Sequence, residues 1–444
     1  MTMPDKPDRP SLEEINASVR VPSVYQTNFF QKFLAYSGPG ALVAVGYMDP
    51  GNWLTSLAGG SQFRYTLLAV LWLSIVVAMF MQTLSIKLGV VARLDLAQAI
   101  AGRSSLPVRI TLWLLNEIAM MATDMTGVLG TAIALKLLFG LPLLFGILLT
   151  ILDVLVVLVF LRFGIRRIEF IVLTAILTVG VIFGLEVFRA HPQWGTIANG
   201  LVPTTGLFTN HAELLLGLGI MGATIMPHNL YLHSSLAQSR RYDHHDPKQV
   251  NEALRFARWD SNVHLVAALI INALLLILGG TLFWHTESQL ASLQDVFYGL
   301  KDSAVVGGLA SPLMSWLFAF ALLITGLISS ITSTLSGQIV MEGYLHIRLP
   351  LWQRRLLTRA VTLIPILVVG WLVGFRDSAF EQMIVYAQIA LSIALPFTLF
   401  PLIKLTSNPD LMGVHVNHRL TQWVGYALAG VITALNIELI VSIF

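Results

Sequence analysis

Asp49-Pro50-Gly51-Asn52 places a carboxylate and a carboxamide around a proline and a glycine inside an otherwise apolar stretch. Met226-Pro227-His228 repeats the Xaa-Pro step within Gly222–Asn229, and His233 follows. Proline removes a backbone donor and clashes with the preceding turn, while glycine tolerates strained backbone, so a helix should open at both places. Opening frees carbonyls, here those around Gly46 and Ala223, and in lipid a freed carbonyl needs a partner such as an ion. Aligning the two Xaa-Pro steps sets Asp49 against Met226. Hard oxygens from Asp49, Asn52 and the backbone would serve Mg²⁺ or Ca²⁺, whereas an added thioether favours later transition metals such as Mn²⁺ and Fe²⁺. Singly, Met226 reads as core packing and each proline as a kink. A carboxylate beside one of two matched breaks shifts the reading to a site, because an ionisable group within a membrane is costly.

The elements that must hold these residues are membrane helices. Of 444 residues 56% are hydrophobic and 11% charged, against roughly 25% charged in soluble domains. A net charge of +3 with scattered basic residues gives no nucleic-acid footprint, and the absence of cysteine excludes disulfides and thiolate chemistry. At about 20 apolar residues per crossing, eleven spans are expected, near 38–58, 66–92, 108–139, 141–161, 167–189, 212–239, 255–284, 310–345, 354–374, 379–402 and 421–442. With the N-terminus inside, 22 Lys and Arg fall in inner segments and only Arg64, Lys136, Arg189, Lys301 and Arg376 in outer ones, as cytoplasmic enrichment requires. The C-terminus is then outside. Residues 1–35 read as a cytoplasmic tail, 36–190 and 191–405 as two five-helix halves, and 406–444 as a loop with the eleventh helix. Five is odd, so the halves are inverted, and both breaks fall in the first helix of a half. Paired discontinuous helices in inverted halves mark a secondary transporter's central site. Tyr242-Asp243-His244-His245-Asp246 reads as a solvated loop, and the Ser/Thr run 329–334 as small polar residues at helix contacts rather than a Na⁺ site.

Several further ionisable residues fall inside spans. Glu117 and Asp124 are seven apart and share one face of span 3. Their expected partners are Arg354, Arg355 and Arg359 at the start of span 9, with Arg359 the deepest. Asp49 could itself exchange a proton for the metal, and His228 and His233 could titrate near neutral pH. These groups read equally as a proton route or as structural ion pairs.

Carried by Asp49-Pro50-Gly51-Asn52, by Met226-Pro227-His228 with His233, and by Gln388 ahead of Leu395-Pro396-Phe397, the whole chain resembles the Nramp family of proton-coupled divalent metal transporters. The resemblance implies an all-α, LeuT-type inverted repeat. It implies metal binding by Asp49, Asn52, Met226 and the Ala223 carbonyl, with Gln388 and the Gly46 carbonyl joining in some states. It further implies import of Mn²⁺ or Fe²⁺, also Co²⁺ or Cd²⁺, by H⁺ symport across a bacterial plasma membrane, as a monomer and without a resident cofactor. The chain departs at Gly127, where similar members carry a glutamate three residues after the span-3 aspartate, so metal transport and strict proton coupling become separate expectations. Rivals are a LeuT-type carrier of an organic solute such as an amino acid, which Asp49 would repel through its carboxylate, and a Mg²⁺-selective or uncoupled relative. A channel would need a filter loop, and an enzyme a nucleophile with its base; neither pattern is present.

Overall fold

The computed structural model describes residues 11–22, 24, 28–155, 164–284, 292–303 and 310–443. Span 1 is two helices, Pro39–Gly46 and Pro50–Phe63, and span 6 is likewise His211–Thr224 and Pro227–Leu236. Among the described residues nine helices are long and apolar enough to cross a membrane, counting span 6 as one. Besides span 6 they are Leu68–Ala92, Leu106–Phe139, Ile165–Ala190, Pro247–Leu282, Pro312–Leu345, Leu351–Val373, Asp377–Thr406 and Arg419–Val441. The broken first span and the shorter Leu143–Leu155 complete eleven. Part of the expected fourth span, residues 156–161, lies outside the described residues.

Burial sorts the spans into layers. The most apolar window of span 3 is 78% buried, whereas those of spans 9 and 11 are 28% buried. Span 3 is therefore a central post, and spans 9 and 11 turn apolar side chains such as Trp371 and Trp423 outward, where lipid is the solvent.

Three features differ from the expectation. Span 7 begins at Pro247 rather than 255, because the Asp246 carboxylate caps the Lys248 N–H and Pro247 fits the first helical position. The expected tail is partly docked: Val19–Arg20 pairs in parallel with Arg240–Arg241, and Leu12 is buried. In the 242–246 loop, Tyr242 is buried with its hydroxyl donating to the Val90 carbonyl, although its neighbours are mostly exposed.

The start of span 1 is tethered strongly. Asp260 of span 7 accepts from the Gly38 and Gly40 N–H groups at 3.0 and 2.7 Å, and Arg240 pairs with Glu169 of span 5 at 2.6 Å while donating to the Ser37 carbonyl. Gly38 sits at φ +140° against the Glu169 carboxyl, where no side chain fits. These contacts fix the end of the short helix that leads to the break.

Candidate cation site at the paired breaks

In an α-helix each carbonyl accepts from the N–H four residues on. Four residues after Gly46 stands Pro50, and four after Ala223 stands Pro227; neither has an N–H. The same arithmetic thus strips the same carbonyl in both helices. After Gly46 the chain tightens, with Tyr47 N–H to Ala44 and Met48 N–H to Val45, and restarts at Pro50 with Asp49 as its cap. Ile225 and Met226 are extended between the halves of span 6.

Asp49 is fully buried. Its Oδ1 accepts from the Asn52 N–H and from Asn52 Nδ2, both at 2.8 Å, and its Oδ2 accepts from Thr126 Oγ1 at 3.2 Å. Asn52 Nδ2 also reaches the Gly46 carbonyl at 3.4 Å. One carboxamide therefore spans the carboxylate and the stripped carbonyl, a position a cation would take with the amide turned to offer its oxygen. Gln388 of span 10 lies against Gly51, where a Cβ would stand 1.8 Å from its Nε2, and both its amide atoms lack a hydrogen-bond partner. Asn229 is buried with both amide atoms unpartnered, and a Cβ on Gly46 would stand 2.4 Å from its Nδ2. Unsatisfied buried amides directed at two break glycines fit a polar guest.

The sixth span meets this cluster at the same level. Gly219 packs on Thr55, and Gly59 on Ile220, so the second half of span 1 lies beside the first half of span 6. One turn nearer the breaks this brings Asn52 level with the Gly222–Ala223 turn. Ser392 approaches Gly222 and donates to the Gln388 carbonyl at 3.1 Å, so span 10 bridges both breaks. Met226 is fully buried as the residue before Pro227. Span 3 closes the other side: Thr126 holds Asp49, Thr123 faces His228 Nδ1 at 3.4 Å one turn away, and Gly130 accommodates the Pro50 ring.

The remaining sequence-derived residues lie in other networks. His233 Nδ1 faces Gln82 Oε1 at 2.9 Å, and Gln82 donates to the Tyr47 hydroxyl. Asn272 donates to the Tyr47 carbonyl at 2.6 Å. Glu117 takes Arg354, one of the three expected arginines, at 2.9 Å. Asp124 takes Arg355 at 2.5 Å and Arg359 at 3.4 Å, together with Asp153 of span 4. Sequence reading missed Thr126, Thr123, Asn229, Gln82, Asn272 and Asp153. Asp153 alone carried a signal, as an acid inside an apolar span. Among the described residues no three His, Asp or Glu side chains form a metal-holding group, so a cation beside Asp49 would depend on one carboxylate with neutral donors.

Two opened helices meeting a carboxylate inside an eleven-span bundle define a membrane carrier of the LeuT type. The solved structure of MhsT in complex with L-phenylalanine shares that fold at TM-score 0.57 and 14% identity, covering 91% of this chain and 98% of its own. The chain belongs to the Nramp family, natural resistance-associated macrophage protein-like, which matches residues 40–442. A divalent metal cation transporter, MntH, of Levilactobacillus brevis is 46% identical over 432 residues, 97% of this chain and 94% of the relative. The crystal structure of a manganese transporter from Eremococcus coleocola, in complex with an aromatic bis-isothiourea substituted compound, superposes at TM-score 0.90 with 41% identity. It covers 97% of this chain and 90% of that one. The protein is thus a multi-pass membrane transporter and not an enzyme.

Proposed function

We propose that this chain imports divalent transition-metal ions, Mn²⁺ foremost, through the paired breaks by alternating access. The observation that carries the reading is the Asp49 carboxylate, held by Asn52 and Thr126 next to a Gly46 carbonyl that Pro50 leaves without a helical donor. Asp49 supplies the charge, Asn52, Gly46 and Ala223 supply neutral oxygens, and Gln388 closes on the ion from span 10. The Met226 thioether gives the preference for Mn²⁺ and Fe²⁺ over Ca²⁺ and Mg²⁺. The names of the relatives from Levilactobacillus brevis and Eremococcus coleocola support the same cargo.

Coupling to protons is part of the proposal. His228 beside Thr123, His233 beside Gln82, and the acids Glu117 and Asp124 with their arginines line span 3 and its neighbours from the breaks towards the proposed cytoplasmic side. The lysine and arginine distribution supports a cytoplasmic N-terminus and an external C-terminus in a bacterial plasma membrane. The inverted halves are 36–190 and 191–405, and a single chain contains every group the mechanism uses, which supports a monomer.

Mn²⁺ uptake into proteoliposomes carrying an internal pH dye tests the proposal. Wild type takes up Mn²⁺ and acidifies the lumen, Asp49→Ala loses uptake, and Met226→Ala becomes sensitive to Ca²⁺ competition. Normal Mn²⁺ uptake by Asp49→Ala would remove the site; uptake by wild type without acidification would remove the symport and leave the carrier.

A further inference from the structure

Near the start of span 7, Asn251, Arg255, Arg258, Trp259 and Asn262 line a cavity of about 440 Å³ together with His415 from the connection between spans 10 and 11. Ordinary ligand pockets fall in the same range, about 300–1,000 Å³. Positive charge gathers here with no acid to meet it. Arg255 is exposed and lies over the Phe29 and Phe256 rings, each at 6.0 Å. Arg258 is half-buried, and among the described residues neither guanidinium has an ion-pair partner. Arg258 Nε and Asn262 Oδ1 are buried without a hydrogen bond. Lys87 of span 2 stands close by, its ammonium donating to Asn417 at 2.7 Å, and the His415 imidazole is held below its ordinary value first by burial and then by Lys87 and Arg258. The acids of this stretch are engaged elsewhere: Glu252 holds Lys32 at 2.6 Å, and Asp260 accepts from Gly38 and Gly40.

We propose that this cavity binds the phosphate headgroup of an anionic phospholipid in the cytoplasmic leaflet, with an acyl chain lying along span 7. Trp259, Val263, Val266 and Ile270 recur at helical spacing, and each is 42–52% exposed. They form an apolar stripe that leads from the cavity along the span. Trp259 also meets Phe29 edge-on at 6.2 Å, and Phe29 opens a short helix, Phe29–Tyr36, on which Phe30 is 66% exposed. Exposed aromatic side chains of this kind collect where water gives way to lipid. The basic cavity therefore sits at headgroup depth, with the stripe running on into the hydrocarbon.

Charge decides which headgroup fits. A guanidinium fork matches two oxygens of one phosphate, and Arg255 and Arg258 present two forks one turn apart. The Asn251 and Asn262 carboxamides offer both donors and acceptors to headgroup hydroxyls such as those of glycerol. A choline or ethanolamine headgroup carries its own cation into a cavity that already faces Arg255, Arg258 and Lys87, so an anionic lipid is preferred over a zwitterionic one. Free phosphate shares the oxyanion chemistry but has no chain to cover the stripe. Basic pockets between the cytoplasmic ends of membrane helices suit such headgroups. The leaflet follows from the proposed topology, whereas the binding itself does not depend on which ion the protein carries.

Native mass spectrometry of the full chain in detergent micelles, titrated with phosphatidylglycerol, phosphatidylcholine or inorganic phosphate, tests the site. Wild type should hold phosphatidylglycerol at least about fivefold more tightly than phosphatidylcholine, and excess phosphate should leave the lipid bound. A basic side chain near a charged headgroup is worth about fivefold in affinity, so Arg255→Gln/Arg258→Gln should weaken phosphatidylglycerol binding about thirtyfold and leave phosphatidylcholine unchanged. Arg255→Gln alone, at an exposed position, should weaken it about fivefold and decides the matter if the double variant fails to fold. Arg103→Gln, exposed in a different inner connection, should keep the wild-type affinity. Equal affinity of wild type for the two lipids, unchanged affinity in the Arg255 and Arg258 variants, or the same loss in Arg103→Gln would each overturn the proposal. Displacement of phosphatidylglycerol by phosphate would overturn it too, since the cavity would then be a site for a free anion. Metal uptake is not read, so failure here is distinct from failure of the transport proposal.

Discussion

Gly130→Ala probes how span 3 sets the position of the first break. A Cβ at 130 would stand 2.3 Å from Pro50 Cγ and 2.6 Å from Pro50 Cβ, whereas carbon atoms rest at about 3.5–4.0 Å. The pyrrolidine ring cannot rotate away, so the break itself must retreat by on the order of 1 Å. Overpacking of this kind costs about 1–3 kcal/mol, partly offset by a gain of about 1 kcal/mol when alanine replaces glycine within a helix. The net expectation is a loss between zero and about 2 kcal/mol. Transport should suffer more, because the retreat pulls Asp49 from Thr126, now 3.2 Å away; misplacement of about 1 Å can lower a rate about a hundredfold. Gly127→Ala on the same helix is the control, since its Cβ meets nothing nearer than 3.5 Å and should gain up to about 1 kcal/mol. Melting in detergent and initial Mn²⁺ uptake give the two readouts. If Gly130→Ala melts and transports like Gly127→Ala, span 3 does not position the break.

Asp49→Asn should keep the fold while losing uptake at least about a hundredfold, because asparagine caps a helix as well as aspartate but brings no charge; a lowered melting temperature in place of selective transport loss would contradict this. Arg355→Ala leaves two buried acids with one arginine and should cost about 3–5 kcal/mol, whereas Arg348→Ala, whose pair with Glu13 is 40% and 53% exposed, should cost less than about 1 kcal/mol. Detergent melts that rank the two the other way would refute the burial reasoning. Asp246 is held below the ordinary carboxylate range first by the Lys248 backbone N–H and then by the Gln249 side chain. A depressed folded value means that its cap is present above the ordinary carboxylate pKa and lost as pH falls through the lower folded one. Amide exchange of Lys248 should therefore stay slow through neutral and mildly acidic pH; an early rise, beginning near the ordinary value, would deny the cap.

Hydropathy determined the crossings, and Pro50 and Pro227 determined where two of them open, because lipid enforces helices and proline deletes a local hydrogen bond wherever the chain later packs. Asp49, Asn52 and Met226, the proposed donors, could be picked out for the same reason: their choice depends on identity and short spacing. Partners across the bundle were not. Thr126 reads as an ordinary small polar residue of span 3 until Asp49 is found 3.2 Å away, and Asn229 gains meaning only against Gly46. Arg354, Arg355 and Arg359 were the expected partners of the span-3 acids as a group, but which takes which was not legible: Glu117 takes Arg354, while Asp124 shares both deeper arginines with Asp153. Asp124 and Asp153 lie on different spans, and one-dimensional patterns carry no record of which faces of two helices meet. The sequence by itself thus determined a membrane bundle with two openings and the residue types beside them, since those follow from local bonding and solvent. Only the tertiary structure decided which buried charges neutralise each other, because that depends on helix rotation and packing across residues as distant as 124 and 355.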